Sequence, residues 1–266
     1  MIFYDFKLGK EIEWLELNLL KNNIPISKSK IISMSGIEDE TLIDTWIGEL
    51  ERRSTLYVTP LYDINNNIIS PLKSWKEIPE YFLCVYYSYF GASDKSNGTK
   101  LFELISAYSL KNFLNGEVYV LGFPAGKNLN EYLDEISATC IEERGIPANS
   151  DYKDDGVDAI GYKLFSDNRS GNIYVLLQCA AGIHWAKKKT INLSRWTNYI
   201  QWFNNNILCS ISTVDFVTQK EWSKRVSDYG IILDRLRIYN YLYKEPIDLE
   251  LRKDTSIWCS DKISNT

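Results

Sequence analysis

The chain has 266 residues, 45% of them hydrophobic, with 30 basic and 35 acidic side chains for a formal net charge of −5. That is enough apolar material for one large core or two small ones, while no apolar run approaches the ~20 residues of a bilayer span, so an ordinary globular protein is expected and a membrane protein is not. The first ten residues set Asp5, Lys7 and Lys10 among aromatics where a signal peptide needs an apolar block, and the five scattered cysteines (Cys84, Cys140, Cys179, Cys209, Cys259) read as free thiols, so a cytoplasmic setting is expected.

Residues 1–95 read as a mixed α+β region for recognition or partner binding. Helical spacing covers Glu11 to Asn22 and Glu38 to Arg53, a strand-like run spans Thr55 to Tyr62, and Asp63 to Asn67 forms a turn. Between Trp75 and Phe90 the segment Tyr81 to Tyr87 suits a buried strand and a buried helix equally. The small, polar stretch Gly91 to Gly98 marks a boundary, and a second domain is expected over 96–266.

That domain opens with a helix, Thr99 to Leu114, apolar nearly all round and therefore expected to be buried. Glu103 interrupts it, a costly place for a lone carboxylate unless a metal or a basic partner neutralises it. A strand from Val118 to Phe123 follows, then a helix from Asn128 to Glu143 closed by Gly145-Ile146-Pro147. Next comes a hairpin. Asp158, Ile160, Tyr162 and Leu164 alternate with Val157, Ala159 and Gly161, the turn spans Asp167 to Asn172, and the return strand from Ile173 carries Tyr174, Leu176, Gln178 and Ala180 on one face. Apolar residues on both faces predict a central strand in a covered sheet. Farther on, a helix is expected around Leu193 to Phe203, a strand over Leu208 to Thr218, a helix over Gln219 to Asp228, a strand and helix from Ile231 to Tyr243, and an irregular charged tail after Pro246.

With His184 the only histidine and no Cys-x-x-Cys, zinc and Ser/His/Asp chemistry lack residues, and no phosphate-cradling glycine motif occurs. The acidic balance argues against a free-standing nucleic-acid binder without excluding DNA, because local clusters at Arg52-Arg53, Lys187-Lys188-Lys189 and Lys220 to Arg225 could meet a polyanion. A carboxylate heading one strand and an oxygen ligand ending its neighbour can share one divalent cation. The candidates are Asp158, inside Asp154-Asp155-Gly156-Val157-Asp158, and Gln178, inside Gln178-Cys179-Ala180. Each also has a plainer use: Asp155 and Asp158 as turn carboxylates, Glu103 in an ion pair with Arg144, Gln178 as partner to a backbone group. Glu131 and Glu135 are reserve acids on an exposed helical face.

Three short pieces, Gly98-Thr99-Lys100-Leu101-Phe102-Glu103, Gly156-Val157-Asp158 and Gln178-Cys179-Ala180, in this order on a helix and two paired strands, resemble the PD-(D/E)xK restriction-endonuclease-like superfamily, and its Mrr-like branch most closely. The resemblance spans about Gly98 to Lys189. It implies a mixed central sheet flanked by helices and Mg²⁺ (or Mn²⁺) held by Asp158, Glu103 and Gln178. It also implies hydrolysis of DNA phosphodiester bonds, in a subunit of an anti-phage assembly with a partner protein such as an ATPase, and a possible homo-oligomer. Ala180 stands where the motif has its lysine. Lys187 and Lys188 are nearest along the chain and Lys163 lies on the partner strand; Lys188 completes a catalytic set of Glu103, Asp158 and Gln178. The alternative is a catalytically silent nuclease fold acting as a binding or scaffold subunit.

Overall fold

The computed structural model describes residues 3–121, 127–243 and 248–265. Two compact units divide the chain: Met1–Gly98 together with Asp248–Thr266, and Thr99–Ile247.

The first unit contains α1 (Glu11–Asn22), β1 (Ile26–Ser27), α2 (Lys28–Ser35), α3 (Glu40–Ser54), β2 (Tyr62–Asn65), β3 (Ile68–Pro71) and α4 (Pro79–Phe90). The ambiguous aromatic run is the helix α4: Pro79 at its first turn has φ preset for helix, and the side chains from Tyr81 to Val85 are all buried. Thr55 to Leu61 is not a strand. The hairpin turns on Asn66 and Asn67, with φ of 50° and 62°, so the pairing runs only from Tyr62 opposite Pro71 to Asn65 opposite Ile68.

The second unit contains α5 (Gly98–Leu114), β4 (Glu117–Val120), α6 (Leu129–Cys140), β5 (Glu143–Arg144), β6 (Ala159–Lys163), β7 (Ile173–Ala180), a 3-10 turn at Trp185–Lys187, α7 (Leu193–Tyr199), β8 (Ile200–Gln201), β9 (Leu208–Thr213), α8 (Gln219–Tyr229), β10 (Ile231–Leu233) and α9 (Arg235–Leu242). Its main sheet has the order β10-β9-β7-β6-β4. β4, β6 and β7 form an antiparallel meander, whereas β7, β9 and β10 run parallel. β7 is thus central, as its two apolar faces imply. Of the strand expected over Val118 to Phe123, Gly122 and Phe123 lie outside the described residues, as does Pro246.

Opposite faces of this sheet carry different helices. Ile160, Tyr162, Tyr174 and Leu176 join Leu129, Tyr132, Leu133, Ile136 and Cys140 of α6 in one core. On the other face α5 crosses at Gly161, where a Cβ would stand 2.7 Å from the Leu110 side chain, and Ser106 Oγ meets Ser212 Oγ at 2.5 Å.

The charged tail is not irregular but forms α10 (Leu249–Ser264), capped by Asp248, whose carboxylate accepts from Leu251 N at 2.8 Å. Leu251, Thr255, Trp258 and Cys259 are buried, and the helix packs on α4 through Trp258 against Tyr86 and Tyr87. It therefore belongs with the first unit rather than closing a domain that runs from 96 to 266. Among the described residues the protein is a mixed α+β structure of ten α-helices, a mixed five-stranded sheet and two smaller sheets, with no helix long and apolar enough to cross a membrane.

Candidate active site

The site is built where β6 gives out. Antiparallel pairing of β6 with β7 ends at Ala159 opposite Leu177, two residues short of Cys179. The N–H and C=O of one strand residue point to the same side, so Cys179 presents a donor and an acceptor together with no ladder partner there, and both must be satisfied. The Asp158 carboxylate takes the N–H, with Oδ2 2.6 Å from Cys179 N. The Lys188 amine takes the carbonyl, donating from Nζ to Cys179 O at 2.6 Å. One main-chain residue thus sets a carboxylate and an ammonium side by side.

Asp158 precedes β6 by one residue and is fixed by its own backbone, which donates to Leu177 O at 2.8 Å and accepts from Leu121 N at 2.9 Å. The loop before it turns through Asp155 (φ 45°) and Gly156 (φ 79°), and Asp154 Oδ1 accepts from Gly156 N at 2.8 Å. Asp155 is a structural tie: its carboxylate bonds Arg195 Nη1 at 2.6 Å and the Tyr199 hydroxyl at 3.0 Å.

Glu103 comes from α5, one turn before Ser106. Burial, then the negative charges of Asp158 and Asp154, push its carboxyl up to about 7, against the opposing pull of Lys188 and Lys100. Burial also raises Asp158, although the Cys179 N–H and the Lys188 charge favour its ionised form. The buried Cys179 thiol is held protonated by desolvation and by the same two carboxylates, Asp158 and Glu103. Glu103, Asp158, Asp154 and Lys188 therefore share one electrostatic neighbourhood around Cys179.

No family model, curated protein or solved structure matches the chain. The residues themselves carry the functional argument.

Gln178 makes no hydrogen bond to Asp158, Lys188 or Glu103. The register that sets Cys179 beside Ser212, under α5, sets Gln178 beside Ile211 on the other face. Its Nε2 donates to Gly156 O at 3.1 Å, its Oε1 is buried without a hydrogen-bond partner, and the side chain borders a cavity of about 210 Å³ with Thr190, Ile191, Asp228 and Tyr229. Arg144 is likewise elsewhere, bonded to Asp134, Asn130 and the carbonyls of Ile146 and Tyr199. Glu131 completes a capping box with Asn128, and Glu135 pairs with Lys127 at 2.5 Å. Lys163 faces Ile173 at the far end of the hairpin, and Lys187 is exposed.

Glu103 and Asp158 are partly buried carboxylates; Asp158 raises the proton affinity of Glu103, and the charge of Asp154 raises both. Among the described residues no group of three or more His, Cys, Asp or Glu gathers into a metal cage. Oxygen donors of this kind are those that a hard cation such as Mg²⁺ takes, one or two carboxylates with several waters retained.

Proposed function

We propose that the second unit is a restriction-endonuclease-like domain that binds DNA and hydrolyses its phosphodiester bonds with Mg²⁺ or Mn²⁺ held by Asp158 and Glu103. The observation that carries this reading is the double use of Cys179, whose N–H orients Asp158 and whose carbonyl receives Lys188. The order of elements supports it too: a helix bearing the acid, an antiparallel meander, and a parallel strand reached through a helix.

When bound, a hard divalent cation supplies charge stabilisation at the phosphoryl oxygens and activation of the attacking water. Asp158 and Glu103 hold it. Lys188 places a fixed positive charge next to the carboxylates, where it can stabilise negative charge developing on phosphorus, the task that Ala180 cannot perform. Lys100, whose charge also bears on Glu103, adds to the attraction for a phosphate backbone. Gln178, facing the other side of the sheet, supports the ordering of the Gly156 loop and is not proposed as a ligand.

The test is cleavage of supercoiled plasmid by the full chain with Mg²⁺ or Mn²⁺. Asp158→Ala and Lys188→Ala each reduce nicking by about 100-fold or more while leaving the fold intact. Cleavage that survives Asp158→Ala removes this site. Absence of cleavage together with metal-independent DNA binding favours the silent scaffold.

A further inference from the structure

Lys188 reaches Cys179 from a short turn nine residues away, and a turn of that size does not hold a long side chain in place unaided. Its anchoring is specific. Trp185, which begins the 3-10 turn, is buried, and its indole N–H donates to Asp215 Oδ2 at 2.9 Å. The Tyr229 hydroxyl donates to Lys188 O at 2.9 Å and stands 3.4 Å from Trp185 O. Arg225 lies over the Trp185 ring at 5.5 Å. The Tyr229 phenol, which burial raises above its ordinary value, is a donor at neutral pH as an unperturbed tyrosine already is. Trp185, Tyr229, Ile211, Val217 and Ile232 pack in one cluster, and the Ala180 methyl lies inside it.

We infer that Trp185, Asp215 and Tyr229 are positioning residues that clamp the 184–188 turn and so deliver the Lys188 amine to the Cys179 carbonyl, the clamp occupying the volume that a lysine at position 180 would need. The inference rests on the assignment of Lys188 to phosphodiester chemistry, but its geometry can be read without that chemistry. Ala180 is not a vacancy in the motif. It is the small residue that lets Trp185 seat, and Trp185 fixes the turn that carries the amine.

The experiment uses the full chain and its variants Tyr229→Phe, which keeps the ring and loses the donor, and Trp185→Phe, which loses the indole bond to Asp215. Brief acetylation with mass-spectrometric localisation measures the reactivity of Lys188 against Lys187 and Lys189 as internal references. Lys188 is expected to react several-fold more slowly than its neighbours in the parent protein, and Tyr229→Phe to raise its rate about threefold with theirs unchanged, because one oriented hydrogen bond has gone. In plasmid cleavage, Tyr229→Phe is expected to lower kcat about tenfold with KM little changed, the signature of a misplaced catalytic group. Ala180→Lys in a Lys188→Ala background is expected not to restore cleavage. Unchanged Lys188 reactivity in both clamp variants overturns the inference, as does rescue by Ala180→Lys. A reactivity change with no effect of Lys188→Ala on cleavage leaves the clamp standing and removes the proposed function instead.

Discussion

Glu103 carries a carboxylate whose charge is at odds with its surroundings. Its carboxyl, raised from 4.5 to about 7, keeps a proton in the folded chain that the unfolded chain has released, so across that interval the folded state loses stability as pH rises. In metal-free protein Glu103→Gln should therefore be stabilising above pH 7, on the order of 1–2 kcal/mol after discount for partial exposure, and nearly neutral at pH 5. Thermal unfolding at the two pH values measures this. A stabilisation of equal size at both, or a loss at high pH, contradicts the assigned cause. If the proposed function holds, Mg²⁺ should raise the Tm of the parent protein at pH 8 and the same variant should lose that rise, since a ligand that binds only the folded state stabilises it by mass action.

At the scale of the element, the approach of α5 to the sheet depends on Gly161. A methyl there would stand 2.7–2.8 Å from atoms of Leu110 and Leu114, and Leu110 is fully buried. Gly161→Ala should cost about 1–3 kcal/mol by overpacking, seen as a lower urea midpoint at unchanged slope. The site-bearing elements are largely legible in the sequence: period two marks β6 and β7, and helical spacing marks α5, α6 and α8. α10 is less so: Leu251, Thr255, Trp258 and Cys259 keep helical spacing, but the exposed Leu249 and Ile257 set apolar residues on other faces too, so no single stripe stands out, and the buried face shows its value only against α4. The site is legible in part. Glu103 and Asp158 declare themselves as carboxylates in apolar or strand-leading places, and Lys188 as a nearby cation. The role of Cys179 leaves no trace, since it uses main-chain atoms common to every residue, whereas the face of Gln178, shared with Tyr174 and Leu176, follows from alternation along β7. Trp185 followed three residues later by Lys188, with a small Ala180 before both, is the one signal that could have pointed to the clamp.

At the scale of the whole molecule, the residues that surround the site are contiguous, 99–247, whereas the first unit is assembled from 1–98 and 248–266. α10 is bound to its own unit by Trp258 Nε1 donating to Ser96 Oγ at 2.8 Å, by Lys262 with Asp94 at 2.6 Å, and by Cys259 Sγ at 3.4 Å from Pro79 O. Deleting residues 248–266 should therefore lower the unfolding temperature of the first unit by several degrees through loss of this packing, while the unfolding of the second is little changed. Hydrogen exchange resolved by peptide distinguishes the two. Protection lost equally in α4 and in β7 would contradict the separation.

The return of α10 also has a meaning in time. Synthesis runs from the N-terminus, so every residue that the Cys179 site requires leaves the ribosome ahead of α10, and that unit can close its sheet while the first still lacks a wall for α4. The guest can mature ahead of its host, and the helix that seals the host follows it.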